Sequence, residues 1–389
     1  MSSKDITLSS GVRQNLLSLQ TIATLTATTQ NRLASGKKVN TALDNAVNYF
    51  TSAGLQSRAN DLGALLDAMS SAIQTVVAAN NGIEAITTTI QSMQATLMQA
   101  RQDASWQSTS YTYSIAATNT GTLANITFVG GSVGTTAVTV NLDNSTVVTT
   151  GVPDTVDEAV AAINGTAALQ GHVKAWNDAG QLRIQNISTA ALTVTGASAG
   201  AIDASTNTDS IGGNTVRLNL VTQYNLLRDQ LDKFAADASF NGVNLLQGDV
   251  LKVVFNEMST STLDIQAVDV NGNPFVVNSI NLGISSLVNS NLDSNSNIDT
   301  MLNGLRTSLL NARSLASNFG SNLSVVQNRQ EFTKNMITTL KTGADNLVIA
   351  DTNEEGANML ALQTRQQLSI TALSLANQYN QSVLRLFGG

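Results

Sequence analysis

The sequence contains no cysteine and a single histidine, His172. These absences exclude disulfide frameworks, thiolate metal sites and imidazole clusters. Aromatic residues make up 4% and charged residues 12% of the 389 positions. The formal net charge is −7, and no run of Lys or Arg is present to meet phosphates. We therefore expect no binding to nucleic acid.

No set of side chains has the pattern of an active site, such as Ser-His-Asp, Cys-His or paired carboxylates. We predict no catalytic residues, no metal and no cofactor, and hence no enzyme. The glycine-rich run at 130–134 lacks the lysine of a phosphate loop, and we interpret it as a turn between strands. Asp351, Glu354 and Glu355 are candidates for a cation site. Acidic residues at a helix start commonly stabilise its positive end, and we favour this role for them.

No uninterrupted run of apolar residues has the length of a membrane span, so we expect no membrane insertion. The first residues lack the apolar core of a cleaved secretory signal. If the protein leaves the cell, we expect an export route that needs no such signal.

Residues 346–387 have two helical stripes in which the spacing alternates between three and four. The first stripe consists of Met359, Leu362, Gln366, Ser369, Leu373, Ala376, Asn380, Val383 and Phe387. The second consists of Leu368, Ala372, Leu375, Tyr379 and Leu386. A helix with two apolar stripes cannot bury both against one neighbour. We therefore predict that this helix makes contacts in an assembly.

The N-terminal end offers a partner for this helix. Its apolar positions are Val12, Leu16, Leu19 and Ala23, with Ile22 and Leu25 beside them. The threonine-rich run at 21–29 has poor helix propensity, so the segment should become helical when another element packs on it. The alternative is an ordinary core helix pair inside a closed domain.

Helical periodicity predicts helices over residues 5–35, 46–58, 60–108, 216–238 and 298–345, with Gly82 as a local weakness. Ser35 and Gly36 are predicted to end the first helix, and Asp44 and Asn45 to cap the second. Residues 111–213 have a β pattern, with one helix capped by Thr155 and a hairpin turn at 177–180. The ends of this block should lie close together. Short strands and a hairpin are expected within 250–290.

The predicted fold class is mainly α with β. Both chain ends form a long, coiled-coil-like helical rod, and a β-rich domain is inserted into it.

Three segments stand out as motifs: RLASGKKVNTALDNA at 32–46, FNGVNLL at 240–246 and ANQYNQSVLRLF at 376–387. Together they resemble the bacterial flagellin family, of the alphaproteobacterial type. RLASGKKVNTALDNA at 32–46 is similar to the family pattern RLSSGxRINxAxDDA. The matching positions include Arg32, Leu33, Ser35, Gly36, Asn40, Asp44 and Ala46, whereas Asn45 replaces the usual second Asp. FNGVNLL at 240–246 resembles the family's FNGxxLL turn, through Phe240, Asn241 and Gly242, and ANQYNQSVLRLF at 376–387 resembles its ANQxxQxVLxLL end.

The resemblance implies a structural subunit of the extracellular flagellar filament, exported unfolded and polymerised into a helical tube for swimming. It implies inner-tube helices at 1–45 and 346–389, a helical rod domain with a β-hairpin region at 46–110 and 214–345, and an outer β-rich domain at 111–213. The self-assembly residues would be Val12, Leu16, Leu19, Ile22, Ala23, Leu362, Leu373, Ala376, Val383 and Phe387. The implied partners are many copies of the chain, the flagellar export apparatus, an export chaperone, and hook-associated and cap proteins.

Two other functions remain open at this point. A hook–filament junction protein shares the terminal helices of the family. A secreted adhesin would use the β block to bind glycans, although Trp176 is the block's only tryptophan and offers little surface for sugar stacking.

The resemblance also concerns an animal innate receptor for flagellin, which grips a stretch resembling LQRVRELAVQ. The matching residues here are 90–99, IQSMQATLMQ. Ile90, Met93 and Leu97 keep the inward spacing, whereas Ser92 and Gln94 replace arginines and Thr96 replaces a leucine. We expect these three to lie on the outward face. A hydroxyl cannot reproduce the forked hydrogen bonds of a guanidinium, so weak receptor activation is expected.

Overall fold

The computed structural model describes residues 10–113, 125–142, 155–198, 200–202 and 206–387. Its helices are α1 (Ser10–Ser35), α2 (Ala46–Gln102), α3 (Val156–Gly165), α4 (Thr215–Asp237), α5 (Asn295–Val348) and α6 (Thr352–Phe387). Its strands are β1 (Ser108–Tyr113), β2 (Asn125–Gly130), β3 (Gly134–Asn141), β4 (Val173–Asp178), β5 (Gln181–Asn186), β6 (Leu192–Thr195), β7 (Ala197–Ser198), β8 (Ala201–Ile202), β9 (Thr208–Ile211), β10 (Leu251–Val254) and β11 (Thr262–Ile265). Long helices with a β-rich insertion confirm the predicted fold class.

The chain forms two compact units. The first unit consists of Met1–Ser70, Val254–Thr262 and Gln327–Gly389, and the second of Ser71–Val253 and Leu263–Val326. Both α2 and α5 contribute residues to each unit.

The helix α2 is a single helix of 57 residues, so the prediction of two helices divided near residue 59 is wrong. No glycine or proline occurs at 58–60, and Ala59 is itself buried, so the apolar stripe continues without a break. The helix also ends at Gln102 rather than at the predicted residue 108. There the Asp103 carboxylate accepts hydrogen bonds from the hydroxyl (2.7 Å) and backbone N–H (3.4 Å) of Ser105. Such a local turn competes with helix continuation.

By length and composition alone, α2 is also apolar enough to cross a membrane. Its inward positions in the second unit are packed against protein, because Ile86, Ile90, Met93 and Leu97 are fully buried. Met69, in the first unit, is fully buried as well. Other positions carry exposed polar groups, among them Asn81, Glu84 and Ser92. We interpret α2 as a core helix with one buried face and one solvated face.

The β block contains two sheets with a shared core. One sheet has the strand order β4-β5-β1-β8-β7, and the other has the order β3-β2-β6-β9. The core residues include Tyr111, Ile126, Phe128, Ile163, Leu182, Ile184, Leu192 and Val194, all fully buried. The predicted strands over 126–142 and 172–196 are confirmed, whereas the stretch 145–151 lies outside the described residues. The predicted fold of this block is therefore correct wherever it is described.

Local signals in the β block have the predicted structural basis. Thr155 caps α3 by accepting from the backbone N–H of Glu158, whose carboxylate in turn accepts from the Thr155 N–H. Ala179 and Gly180, with φ of 52° and 87°, form the turn between β4 and β5. This pair of left-handed residues matches the twist of an antiparallel hairpin.

The two ends of the β block lie side by side, as predicted. The backbone N–H of Asn186 donates to the Gln107 carbonyl (2.9 Å), and the Asn186 amide donates to the Gly212 carbonyl (3.1 Å). A Cβ added at Gly213 would lie 2.2 Å from the Thr189 carbonyl oxygen, so the chain passes here without room for a side chain. The insertion therefore begins and ends at one place.

A buried polar cluster joins this place to the helices of the second unit. Arg217, 2% exposed, donates through Nη2 to the Asp103 carbonyl (2.8 Å), and its guanidinium stacks on the Trp106 ring at 4.4 Å. Burial lowers the pKa of Arg217, whereas burial of Asp103 is outweighed by hydrogen bonds from Asn214 and Ser105 that lower the pKa of its carboxyl. Removing one partner of such a buried charge network typically costs about 3–5 kcal/mol.

Gly82 is required by packing rather than being a weakness in α2. A Cβ at this position would lie 2.5 Å from the Ala238 Cβ and 2.9 Å from the Leu246 Cδ1. The missing side chain allows α2 to approach the end of α4 and the turn after it. The helix-propensity cost of the glycine is therefore offset by close packing.

We predict that Gly82→Ala lowers the unfolding free energy by about 1–3 kcal/mol, because an added methyl overpacks this contact. The control is Gly320→Ala in α5, where no atom lies within 4 Å of the new Cβ. This change should stabilise the protein by up to about 1 kcal/mol, because alanine favours helix over glycine. Urea unfolding followed by circular dichroism measures both. Equal stability of the two variants would contradict the packing argument.

Candidate assembly site at the paired chain ends

The helices α1 and α6 contact each other within the first unit. In α6 the residues of the first stripe are the less exposed ones: Leu362 is buried, and Met359, Gln366, Ser369, Leu373 and Ala376 are half-buried. The side chains of Val383 and Phe387 lie outside the described residues. The predicted pairing of the two chain ends is present in the folded chain.

The contact face of α1 differs from the predicted one. Val12 and Ile22 are buried and Leu19 is half-buried, whereas Leu16 and Ala23 are exposed. Leu16 and Ala23 therefore lie outside the less exposed face of α1, and their role in self-assembly stays a prediction. The less exposed positions are Val12, Asn15, Leu19, Ile22, Thr26 and Thr29, which keep the alternating spacing of three and four.

Threonine is tolerated on this face because its hydroxyl has a partner inside the helix. The Thr26 hydroxyl donates to the Ile22 carbonyl at 2.7 Å. The hydroxyls of Thr21, Thr24 and Thr28 make the same bond to the carbonyl four residues earlier. A hydroxyl satisfied in this way can be covered without leaving an unpaired polar group.

Apolar surface remains uncovered on both helices. The second stripe of α6 contains Leu368, Leu375 and Tyr379, which are 64%, 60% and 76% exposed. On α1, Leu17 and Leu25 are 62% and 48% exposed. The prediction that one neighbour cannot cover both stripes is confirmed. Contiguous exposed apolar surface of this kind is typical of an interaction site.

Backbone hydrogen bonds tie the segment after α1 to the segment before α6. The Ala350 N–H donates to the Gly36 carbonyl (2.9 Å), and the Lys38 N–H donates to the Val348 carbonyl (2.7 Å). Gly36 has φ of 69°, the left-handed conformation predicted for the end of α1. The family-motif glycine thus turns the chain so that its backbone pairs with the other chain end.

An ion pair lies next to these bonds. The Arg32 Nη1 is 3.2 Å from the Glu355 Oε1, and the Glu355 side chain is only 10% exposed. Asp351 caps α6 by accepting from the backbone N–H groups of Asn353 and Glu354, as predicted. The pairing of Glu355 with Arg32 was missed, although an arginine without a nearby acid in the sequence was a signal for a distant partner. Leu33, beside this arginine, is 41% exposed.

The loop from Asn40 to Asp44 is closed by the Asp44 carboxylate. Its Oδ2 accepts from the backbone N–H of Thr41 (2.9 Å) and of Asn40 (3.0 Å). These bonds, that from Thr41 first, hold the pKa of Asp44 below its ordinary value of 3.8. Asn45 caps α2 by accepting from the Asn48 N–H at 3.0 Å. The motif residues thus supply both the loop closure and the helix start.

The FNG motif has a separate structural role in the second unit. Asn241 and Gly242 have φ of 53° and 80°, and the backbones of Phe240 and Val243 exchange two hydrogen bonds of 3.0 Å. This tight turn leads to Asn244, whose amide donates to the carbonyls of Ala235 and Ala236 at the end of α4. The motif therefore terminates a helix and reverses the chain.

The receptor-like segment 90–99 needs one correction. Ser92 is exposed and Gln94 half-buried, but Thr96 is 4% exposed, so its predicted outward position is wrong. Its hydroxyl donates to the Ser92 carbonyl (3.0 Å), which allows the position to be buried. The inward residues Ile90, Met93 and Leu97 are buried as predicted. Weak receptor activation stays a prediction, and it depends on Ser92 and Gln94 alone.

We predict that the chemical shifts of the Asn40 and Thr41 amide protons change with pH as the Asp44 carboxylate is protonated. Because the pKa of Asp44 is lowered in the folded chain, loop closure is fully present above pH 3.8 and is lost as the pH falls through the lowered value. NMR chemical shifts of the two amides across this range measure the effect. Asp44→Asn should abolish the titration, and Asp61→Asn on the exposed side of α2 should leave it unchanged. An unaltered titration in Asp44→Asn would contradict the assignment.

Comparison with known proteins agrees with this architecture. The family model for the bacterial flagellin N-terminal helical region matches residues 9–126, and that for the C-terminal helical region matches residues 302–387. The chain is 33% identical to flagellin FljK of Caulobacter vibrioides over 178 residues, which are 45% of this chain and 61% of that protein. Brucella melitensis flagellin is 30% identical over 40% of this chain and 56% of its own length.

A further relative covers nearly the whole chain. Flagellin A of Rhizobium meliloti is 26% identical over 96% of both proteins. The two terminal matches leave residues 127–301 between them, and this stretch contains most of the β block. The chain belongs to the bacterial flagellin family, of the alphaproteobacterial type.

Proposed function

We propose that this chain is the repeating structural subunit of an extracellular flagellar filament used for swimming. The observation that carries the proposal is the uncovered second stripe of α6, beside the contact that pairs the two chain ends. A monomer that exposes this apolar surface has a strong drive to cover it with further copies. The relatives named above are flagellins, which supports the same function.

The domain roles and partners follow from this proposal. Residues 1–45 and 346–389 would form the inner tube, residues 46–110 and 214–345 the surrounding helical layer, and residues 111–213 the outer domain. The unfolded chain would pass through the flagellar export apparatus with the help of a chaperone, and would assemble between hook-associated and cap proteins. No catalytic step is part of this function, which is mechanical.

We predict that the full-length purified protein forms long filaments in electron micrographs, and that deleting residues 368–387 yields a soluble monomer. The deletion removes most of both stripes of α6, and an isolated marginal helix at the other end does not recover its ordering entropy. Sedimentation and electron microscopy measure the outcome. Ordinary filaments from the truncated chain would contradict the assembly role.

A point variant separates the exposed stripe from the paired one. Leu375→Glu should prevent filament growth while leaving the monomer's helix content unchanged, because Leu375 is already 60% exposed. Ser374→Glu adds the same charge to the same helix outside both stripes and should permit growth. If both variants behave alike, the stripe is not the contact surface.

The β block should be dispensable for assembly. Replacing residues 107–212 with a short Gly/Ser linker keeps Asp103, Trp106, Asn214 and Arg217 in place, and the adjacent ends make the closure inexpensive. A cut after Tyr111 would instead expose a residue that belongs to the core of the block. We predict filaments of reduced diameter by electron microscopy. Stable monomer without filaments would show that the block belongs to the tube wall.

A further inference from the structure

The solvated face of α2 contains a groove that no function has yet been given. It has a volume of about 450 Å³ and is lined by Glu84, Ala85, Thr88, Ser92 and Phe234, together with Asn81 and Thr89. Phe234 and Ala85 provide the apolar part of its lining, and Glu84 is its only charged residue. All of these residues belong to the second unit.

The solvated side of α5 has a ridge with complementary properties. Arg306, Leu310 and Arg313 are exposed and follow each other at spacings of four and three, so they lie on one side of the helix. Leu310 is 63% exposed. The opposite side of α5 carries the buried Leu305, Ala312 and Phe319. The ridge is therefore an apolar side chain between two cations.

The charges of groove and ridge have no ion-pair partner among the described residues. In the part of the chain that the structure describes, Glu84, Arg306 and Arg313 take part in no ion pair. The sequence separates the signs along these two helices. Residues 59–100 contain three acids and no Lys or Arg, whereas residues 302–328 contain two arginines and no acid.

We propose that the ridge of one copy docks in the groove of a neighbouring copy. Leu310 would lie on Ala85 and Phe234, and one guanidinium would pair with the Glu84 carboxylate. The second guanidinium would donate to the hydroxyls of Thr88 and Ser92. Arg306 and Arg313 are about 10 Å apart along their helix, and Glu84 and Ser92 are about 12 Å apart along theirs, so both contacts can form together.

The choice of a second copy as the occupant rests on charge complementarity between two surfaces of this same chain. Groove and ridge are different patches, so their contact is head-to-tail. Such contacts extend into rings or helical polymers rather than closed pairs. This inference rests on the proposed function and names a contact by which the filament would hold its subunits.

Charge exchange tests the contact. The variants are Glu84→Arg and the double variant Arg306→Glu with Arg313→Glu, added to sheared wild-type filaments at low ionic strength. Each variant alone can add one subunit to a wild-type seed but no further subunits, because its own groove and ridge carry charges of the same sign and repel each other. We expect elongation of each to fall by about tenfold or more. An equimolar mixture restores alternating contacts, and we expect it to grow at close to the wild-type rate.

The controls make each result decisive. Asp67→Arg applies the same charge change to an exposed position of α2 outside the groove and should elongate normally. Circular dichroism should show the same helix content in every monomer. Normal growth of either variant alone, or no growth of the mixture, overturns the proposed contact. Failure of wild-type protein to elongate the same seeds would instead overturn the proposed function.

Discussion

The pairing of two helices from opposite chain ends is the constraint on which the first unit depends. Each helix is packed against the other, and the residues that meet are far apart in the sequence: Arg32 and Glu355 are separated by 323 positions. The backbone hydrogen bonds of Gly36 and Lys38, to Ala350 and Val348, join the segment that follows α1 to the segment that precedes α6. Because these bonds join the motif at 32–46 to the segment before α6, that motif is a joint between chain ends.

The scarcity of aromatic and charged residues agrees with this arrangement. A 36-residue helix such as α6, packed on one side by α1, gains little from the burial of small and polar side chains. Leucines on the uncovered side add nothing to the stability of the isolated chain. They become useful when another copy covers them, at about 25 cal/mol for each Å² of apolar surface removed from water. The composition thus places part of the stabilisation between chains rather than within one.

The second unit has a different source of order. Its β block has a complete apolar core around Tyr111 and Phe128, and the block is joined to the helices by the buried Arg217 and its partners. A buried guanidinium contributes little net stability against an apolar replacement, but it tolerates few alternative arrangements. We interpret the cluster around Arg217 as the feature that fixes where the insertion begins and ends.

Periodicity and local turn chemistry predicted most of the fold. The heptad spacing located the less exposed positions of α2 and of the first stripe of α6. The caps at Thr155 and Asp351 follow from side-chain hydrogen bonding within a few residues, and the end of α1 at Gly36 follows from the left-handed conformation that glycine readily adopts. Each of these signals depends on residues that are close together in the sequence, so it can be recognised without the structure.

The errors occur where a hydrogen bond inside a helix, or a contact with a distant residue, outweighs the apolar pattern of the sequence. Thr26 and Thr96 lie on the less exposed faces of their helices although they are polar, because each hydroxyl donates to the backbone carbonyl four residues earlier. Gly82 was interpreted as a weakness because the residue that requires a glycine there, Ala238, is far along the chain. The Ala238 methyl group occupies the space that a side chain at position 82 would need. Glu355 has its partner in Arg32, which no local pattern indicates. The polarity of a side chain is therefore a poor guide to its exposure when its hydrogen bonds are made within the protein.

The threonines of α1 that donate to their own helix have a consequence for the axial position of α1 against α6. A hydroxyl that already donates to its own helix has no proton left to donate to a facing helix. The face that carries such hydroxyls therefore packs mainly by shape. Sliding a helix along such a face by one turn exchanges methyl for methyl at small cost. Directional groups near the joint, above all the guanidinium of Arg32 against the carboxylate of Glu355, must then set the register. The two helices can therefore shift slightly along each other elsewhere, while the ion pair of Arg32 and Glu355 keeps one point fixed.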